Sequence, residues 1–283
     1  MSIRIQAPRF DLRHTLECGQ FFRWTRHGDA FHVQRGRRLF RVRQTGVTLD
    51  VQGADRWFIR DFFSLDHDLA GIEHSLRRDP RLRPALDAYP GLRLIRQDPW
   101  ECTAAFIISI ASNIPRITRN VADIARTWGR RIALGDFTSN EFPRPGEFGS
   151  EESLRRLRLG FRARYLDRAA RLAESGLLEE IPSLSCEDAR EALMVIPGVA
   201  EKVADCILLF AFGRLEAFPV DTWIRRVMID LYFHGRRVPD RAIRAFASER
   251  WGDLAGYAQQ YLYTWSRARG RVSVRAPRAA SRA

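Results

Sequence analysis

Residues 193–205, with the sequence LMVIPGVAEKVAD, join two helical patterns through a tight turn at Pro197-Gly198. A helix that begins after such a turn presents unpaired backbone N–H groups and the positive end of its dipole. These groups can bind a phosphate without reading a nucleotide sequence. The stretch therefore predicts either a helix-hairpin-helix element that binds nucleic acid or an ordinary corner between two helices, and the turn alone does not decide between them.

The same stretch contains the only lysine of the chain, Lys202, among 47 lysine and arginine residues. Arginine stays charged in proteins, whereas lysine can become a neutral amine. The apolar residues 207–210 predict that the helix is buried, and both burial and the positive helix end favour the neutral, nucleophilic form. The sequence therefore predicts a nucleophile at Lys202, with a stray or phosphate-binding surface lysine as the alternative.

A carboxylate follows at Asp221, between an extended apolar run and a predicted helix in the segment FPVDTW (218–223). Aspartate is a favoured N-cap because its side chain accepts a hydrogen bond from the first helical turn. A carboxylate at this place could also stabilise positive charge on a sugar and assist proton movement. The two roles are compatible, and the sequence predicts that Asp221 serves as a cap, as a catalytic group, or as both.

The formal net charge of +13 and the isoelectric point near 10.7 predict a polyanionic partner, nucleic acid before a membrane surface. No apolar stretch approaches the roughly 20 residues of a membrane span, and the first ten residues lack the apolar core of a secretory signal. The four cysteines have no metal-binding spacing, so we expect free thiols. These features predict a protein of the cytoplasm, associated with the nucleoid in a bacterium, or of the nucleus in a eukaryote. We also expect a monomer.

The chain divides into three predicted regions. Residues 1–53 carry short strand patterns, at 19–24, 30–35, 38–43 and 47–51, separated by turn signals. Residues 54–266 carry helical patterns, with the hairpin at 186–212 and a polar surface loop at 130–149. Residues 267–283 predict a basic, disordered tail. The predicted fold class is α+β, with a small N-terminal antiparallel sheet packed on a mostly helical region.

Several segments together resemble the 8-oxoguanine DNA glycosylase/AP lyase family. The hairpin IPGVAEKVADC (196–206) with PVD (219–221) resembles the helix-hairpin-helix and Asp signature of base-excision glycosylases, in which a hairpin lysine marks the bifunctional members. The narrower resemblance is carried by GQFFRW (19–24), GLRLIRQDPWEC (91–102), NIPRIT (113–118) and LGFRARY (159–165). The resemblance to this family extends over roughly residues 19–266.

This resemblance implies a DNA repair enzyme that acts on double-stranded DNA containing oxidised guanine. The damaged nucleotide would be flipped out of the duplex. The amine of Lys202 would then displace the base at C1′ and form a Schiff base, and β-elimination would cut the strand on the 3′ side. Asp221 would stabilise the oxocarbenium charge, and the resemblance implies no metal or redox cofactor.

The resemblance also assigns residues to the base pocket. The backbone carbonyl of Gly19 would accept the N7–H that distinguishes 8-oxoguanine from guanine. Cys206 and Tyr263 would sandwich the flipped base, and Gln259 would bind its Watson–Crick edge. Two further residues would line the pocket, Phe210 and Pro219.

A second set of residues would contact the rest of the DNA. Phe161 would wedge into the duplex, and Arg116 and Arg162 would hold the orphaned cytosine. The remaining contacts implied are Asn113, Gly198, Ala200 and Trp223. The hairpin carbonyls of Met194, Ile196 and Val199 would bind a monovalent or calcium ion.

The chain departs from the family pattern at four of these places. Ala111 replaces the asparagine that fills the gap beside the orphaned base, so we expect looser discrimination of that base. Trp223 replaces a histidine, Phe161 replaces a tyrosine and Ala200 replaces the second hairpin glycine. Two other functions stay open: an alkylated-base glycosylase that uses Asp221 alone, which the lysine argues against, and a non-catalytic DNA-binding module.

Overall fold

The computed structural model describes residues 2–270. Its N-terminal part is an antiparallel sheet of five strands in the spatial order β1-β5-β4-β3-β2. The strands are β1 (Ser2–Gln6), β2 (Trp24–His27), β3 (Ala30–Arg35), β4 (Arg38–Thr45) and β5 (Thr48–Gln52). Tight turns join β3 to β4 and β4 to β5, so the strands from β2 to β5 form the predicted meander.

Helices make up most of the rest of the described chain. They are α1 (Leu12–Glu17), α2 (Arg56–Phe62), α3 (Leu69–Leu76), α4 (Arg83–Ala88), α5 (Pro99–Ile108), α6 (Ile114–Trp128), α7 (Glu151–Arg156), α8 (Arg162–Glu174), α9 (Leu177–Glu180), α10 (Cys186–Met194), α11 (Glu201–Ala211), α12 (Thr222–Tyr232), α13 (Asp240–Trp251) and α14 (Ala255–Ala268). Many begin where a short polar side chain accepts a backbone N–H of the first turn, as Asp98, Asn113, Ser185 and Asp221 do.

The sheet packs on α2 through a core of aromatic side chains. Phe31 and Phe40 from the sheet meet Phe62 and Phe63 from the end of α2, and all four are almost completely buried. Ring pairs in this core meet mostly edge to face, for example Phe40 and Phe62 at 5.4 Å between centres. Helix α2 therefore shares its hydrophobic core with the sheet.

Two buried helices form the centre of the helical region. In α5 every residue from Trp100 to Ile108 is buried, and in α11 every residue from Val203 to Phe210 is buried. A helix that is buried on all sides belongs in the interior of a large fold. These two helices pack against each other, with Phe106 stacked on Phe210 at 5.5 Å between ring centres. The predicted α+β class is confirmed, and α11 is buried from Val203 to Phe210.

The structure corrects three predictions of secondary structure. Residues 19–23 form no strand, and the residues before them form α1, capped by Asp11. The predicted loop at 130–149 contains a β-hairpin, β6 (Arg131–Leu134) and β7 (Phe137–Asn140), which packs on β3 by stacking Phe137 on His32 at 4.0 Å. Helix α14 continues two residues past the predicted start of the tail, and residues 271–283 lie outside the described residues.

Two further observations bear on the class of protein. All four cysteines are free and three are buried, as the sequence predicts. Among residues 2–270, no helix combines the length and the apolar character that crossing a membrane requires.

Candidate active site

The hairpin between α10 and α11 has the predicted arrangement of two helices joined by a tight turn at Pro197-Gly198. Gly198 has a φ of +84°, and a Cβ added there would lie 2.3 Å from the ring of Tyr165, so the turn requires glycine. Helix α11 begins after Ala200 without a side-chain cap, which leaves its first N–H groups for an external acceptor. Pro197, Gly198 and Ala200 are all exposed. The tip of the hairpin is therefore an accessible helix start of the kind that binds phosphate.

One face of α11 lines a cavity of about 390 Å³. Lys202, Cys206 and Phe210 follow one another at intervals of four residues, so they project from the same side of the helix. The rest of the cavity wall comes from the end of α5, the start of α6, the start of α12, one face of α14 and the segment before β2. Of the predicted residues the wall includes Gly19, Asn113, Lys202, Cys206, Phe210, Pro219, Asp221, Trp223, Gln259 and Tyr263. The fold thus brings together all the residues predicted for the base pocket, which lie up to 244 positions apart in the chain (263 − 19).

The amine of Lys202 is half-buried at the edge of this cavity. Its Nζ lies 3.3 Å from the Oγ of Ser109 and 5.4 Å from the centre of the Phe106 ring. Both neighbours belong to the end of α5, and neither was predicted from the sequence. The amine is therefore held between a hydroxyl group and an aromatic face while it remains accessible from the cavity.

The carboxyl group of Asp221 caps α12 and lines the same cavity. Its Oδ1 accepts the N–H of Ile224 at 2.8 Å, which is the N-cap interaction expected from the sequence. Burial raises the pKa of Asp221, while the bond from Ile224 and the positive charge of Lys202 act in the opposite direction. The cap therefore fixes the carboxyl group in a partly desolvated place, close enough to Lys202 to feel its charge.

The side walls of the cavity are neutral and aromatic. Burial raises the pKa of the Cys206 thiol to about 12, although the charge of Lys202 opposes this shift. Burial likewise raises the pKa of Tyr263 to about 12. Both groups are consequently uncharged at neutral pH and suit contact with the flat face of an aromatic ligand.

Gln259 places a buried acceptor without a hydrogen-bond partner in the cavity wall. The side chain is buried, and its Nε2 donates a hydrogen bond to the carbonyl of Pro219 at 3.3 Å. Because that carbonyl can only accept, the amide nitrogen must face it, and the Oε1 must face the other way. This Oε1 is buried without a hydrogen-bond partner. A buried acceptor without a partner is costly, and in a cavity wall it indicates a ligand that donates to it.

Gly19 also lines the cavity, in a backbone conformation that favours glycine. Its φ is +94°, and an added Cβ would lie 2.3 Å from Nη1 of Arg267 and 2.7 Å from Cδ1 of Ile114. Arg267 itself lines the cavity: it donates to the carbonyl of Glu17 at 2.9 Å, and its guanidinium lies 5.5 Å from the centre of the Tyr263 ring. The sequence prediction placed Arg267 in the tail. Its spacing of four residues from Tyr263 on α14 is the signal that would have placed it on the cavity face.

The residues predicted to contact the rest of the DNA lie near the cavity mouth or on the adjoining surface. Asn113 is exposed and caps α6 through its Oδ1, which accepts the N–H of Arg116 at 3.0 Å. Arg116 is also exposed. The ring of Trp223 lies 5.8 Å from the guanidinium of Arg226. Phe161, at the start of α8, leaves 47% of its surface exposed, which is unusual for a large apolar residue and is what a wedge requires.

Arg162, which is predicted to hold the orphaned cytosine, is bound to backbone carbonyl groups in this structure. It is buried, and its guanidinium donates to the carbonyl groups of Ile110 at 2.6 Å and Ala111 at 2.7 Å. Burial lowers the pKa of Arg162, with a smaller contribution from the charge of Arg116. In this structure Arg162 therefore holds the loop that carries Ala111, and its predicted contact with the orphaned base stays a prediction.

No group of three or more His, Cys, Asp and Glu side chains within residues 2–270 is arranged to hold a metal ion. The predicted ion site uses backbone carbonyls of the hairpin instead. One of them, that of Ile196, accepts the N–H of Val199 at 3.0 Å and so shapes the turn. The ion site that would also include Met194 stays a prediction.

Comparison with known proteins identifies the family. Residues 2–103 match the family described as 8-oxoguanine DNA glycosylase, N-terminal domain. The chain is 34% identical to the probable N-glycosylase/DNA lyase of Methanothermobacter thermautotrophicus, over 95% of this chain and 97% of that protein. It is 30% identical to the N-glycosylase/DNA lyase OGG1 of Arabidopsis thaliana, over 92% of this chain and 78% of that protein.

A solved structure agrees with these relatives. The Clostridium acetobutylicum 8-oxoguanine glycosylase/lyase, in complex with double-stranded DNA containing cytosine opposite 8-oxoguanine, superposes with a TM-score of 0.90 at 31% identity, over 95% of this chain and 96% of that chain. The family and enzyme class predicted from the sequence are confirmed. The chain belongs to the 8-oxoguanine DNA glycosylase family of N-glycosylase/DNA lyases.

Proposed function

We propose that this protein removes 8-oxoguanine from duplex DNA and then cuts the DNA strand at the same site. The observation that carries the proposal is the content of one cavity. The only lysine of the chain, the capped carboxyl group of Asp221 and the unpartnered Oε1 of Gln259 all line it. Together they supply a nucleophile, a group that stabilises positive charge, and an acceptor for a base.

The polar groups of the cavity match an oxidised guanine. The Watson–Crick edge of guanine carries N–H donors, which would give the buried Oε1 of Gln259 the partner that it lacks. 8-Oxoguanine carries a hydrogen on N7, whereas guanine carries a lone pair there. The backbone carbonyl of Gly19, if it faces N7, would accept a hydrogen bond from the N7–H of 8-oxoguanine and would repel the N7 lone pair of guanine. The same contact would therefore attract the lesion and reject the normal base. The ring of Tyr263 and the thiol of Cys206 would cover the two faces of the base.

The reaction follows from the amine. The lone pair of Lys202 forms a bond to C1′, the bond from C1′ to the base breaks, and the departing base keeps that electron pair and takes up a proton. Positive charge develops on the sugar as the base leaves, and the carboxylate of Asp221 stabilises it. The sugar ring then opens to a Schiff base. Loss of a proton from C2′ expels the 3′ phosphate and breaks the strand.

Binding of the duplex rests on surfaces outside the cavity. The net charge of +13 attracts the phosphate backbone, and the start of α11 would hold one phosphate at Gly198 and Ala200. Phe161 would enter the duplex beside the flipped nucleotide, and Arg116 would lie near the orphaned base. We expect a monomer to be active, in the compartment that holds the DNA, because a single copy of the chain supplies every residue proposed for the base pocket.

Borohydride trapping on a duplex with 8-oxoguanine opposite cytosine tests this function. The wild-type protein should form a covalent adduct, because borohydride reduces the Schiff base. Lys202→Gln and Lys202→Arg should form none and still bind the duplex. An adduct with Lys202→Gln would refute the assignment of the nucleophile. Base release without an adduct from a duplex that carries an alkylated base would instead support a monofunctional alkylated-base glycosylase, and binding alone would support a non-catalytic module.

A further inference from the structure

Ser109 lies against the amine of Lys202, and its hydroxyl oxygen accepts a hydrogen bond from that amine. It directly follows the buried run of α5 and is half-buried at the cavity wall. Its Oγ lies 3.3 Å from Nζ of Lys202 and 2.6 Å from the carbonyl oxygen of Phe106. A hydroxyl group has one hydrogen, and the carbonyl of Phe106 can only accept. The hydrogen of Ser109 is therefore used there, and its lone pairs face the amine.

The other polar neighbours of the amine are less suited to this role. Cys206 offers a neutral thiol, which is a weak acceptor. Asp221 acts on Lys202 through its charge, and its cap bond to Ile224 holds the carboxyl group at the start of α12. The ring of Phe106, 5.4 Å away, attracts positive charge without defining a direction for any one N–H bond. Ser109 is consequently the neighbour that can orient the nitrogen atom.

We infer that Ser109 is a positioning residue for the nucleophile. By accepting one N–H bond of Lys202 it aims the nitrogen lone pair into the cavity, toward the place that the sugar would occupy. This inference rests on the proposed function and deepens it. Correct alignment of a nucleophile contributes to the rate of the bond-forming step far more than to the affinity for the substrate.

The same contact can persist through the whole reaction. The neutral amine has two N–H bonds and a lone pair. Attack on C1′ uses the lone pair, and the nitrogen then loses one proton. When the bond between C1′ and the ring oxygen breaks, that oxygen keeps the electron pair and takes up a proton, and the nitrogen forms the C=N bond. The Schiff base retains one N–H, now positively charged, and the Oγ of Ser109 can accept it throughout. A charged donor strengthens that hydrogen bond.

Three substitutions at this position test the inference. Ser109→Ala removes the acceptor, Ser109→Cys keeps a group of similar shape that accepts weakly, and Ser109→Thr keeps the hydroxyl group. Each variant is compared with wild type for the single-turnover rate of borohydride-trapped adduct and for the dissociation constant of the same 8-oxoguanine duplex. Ser109→Ala and Ser109→Cys should trap on the order of tenfold to a hundredfold more slowly, as expected for loss of a hydrogen bond to a charged group. Ser109→Thr should stay within a few-fold of wild type, and all three should bind the duplex as wild type does.

The outcomes separate the two proposals. A wild-type rate in Ser109→Ala, or a Ser109→Thr variant as slow as Ser109→Ala, would overturn the positioning role, because the hydroxyl group would then not matter. Equal losses in rate and in duplex affinity would overturn it as well, since they indicate a distorted pocket. If Ser109→Ala does not fold, Ser109→Cys decides by the same criteria. Absence of an adduct with the wild-type protein would instead refute the proposed function itself.

Discussion

An ion pair between Arg190 and Asp205 joins α10 to α11, the two helices of the hairpin that carries Lys202. Nε of Arg190 lies 2.6 Å from Oδ1 of Asp205, whose side chain is fully buried, while that of Arg190 is 13% exposed. Arg190→Met keeps an apolar side chain in place and removes the charge. Breaking a buried pair from one side leaves an uncompensated charge and typically costs about 3–5 kcal/mol. We expect a loss of that size in the free energy of unfolding.

The loss should grow with pH, and its sign follows from the carboxyl group. Burial raises the pKa of Asp205 above its ordinary value, and the charge of Arg190 opposes that shift. Removing Arg190 therefore raises the pKa further. An acid with a raised folded-state pKa contributes its stability below its unfolded pKa, about 3.9, and loses it as the pH rises through the folded pKa. Arg190→Met should be closest to wild type in mildly acidic solution and weakest in mildly basic solution.

Urea unfolding followed by tryptophan fluorescence measures this loss, at about pH 5 and again at about pH 8. Asp205→Asn and the double variant complete a double-mutant cycle. The double variant should lose less than the sum of the single variants, by about 1–3 kcal/mol. A loss below about 1 kcal/mol in Arg190→Met that is also independent of pH would refute the reasoning, because Asp205 would then not depend on this cation.

Three further predictions concern other positions. Burial raises the pKa of Glu101 to about 7, so the free energy of unfolding should fall as the pH rises from the pKa of the unfolded state through about 7. Glu101→Gln should flatten this pH dependence in urea unfolding, and an unchanged slope would contradict the prediction. Gly198→Ala should lower Tm and weaken duplex binding more than Gly213→Ala does. Both glycines have a positive φ, but only at Gly198 would the added Cβ collide with the ring of Tyr165. Equal losses in the two variants would exclude that collision as the cause. Ala111→Asn should leave Tm unchanged, since asparagine tolerates the φ of +47° at this position. In excision assays it should sharpen the preference for cytosine opposite 8-oxoguanine. An unchanged preference would mean that another group fills the gap.

The elements that the sequence predicts best are governed by local rules. The bounds of α10, α11 and α12 follow from a Pro-Gly turn, an apolar run and an aspartate N-cap, each of which acts within a few residues. The same local rules placed Lys202 at the first turn of α11 and Asp221 at the cap of α12. Lys202 could be singled out as the candidate nucleophile because a single lysine among so many arginines stands out in composition alone.

The errors occur where a segment takes its structure from distant neighbours. Residues 130–149 resemble a loop because their strands are only four residues long, and they become a β-hairpin by stacking Phe137 on His32, 105 positions earlier (137 − 32). Residues 19–23 carry a strand pattern but pack beside the cavity, where the positive φ of Gly19 excludes a regular strand. Short segments have little intrinsic preference, so tertiary packing decides their conformation.

The sequence by itself therefore determined the α+β class and the hairpin, and it placed Lys202 and Asp221 at the starts of their helices, because each of these features depends on residues that are close in the chain. Only the tertiary structure decided that Ser109, 93 positions before Lys202, accepts a hydrogen bond from its amine. The same is true of the hydrogen bond from Arg267 to the carbonyl of Glu17, next to the turn of Gly19, and of the hydrogen bond from Arg162 to the carbonyl of Ala111. These contacts join side chains from separate helices and loops. No periodicity along the chain encodes them, since the packing of α5 on α11 and of α14 on the cavity wall sets their distances.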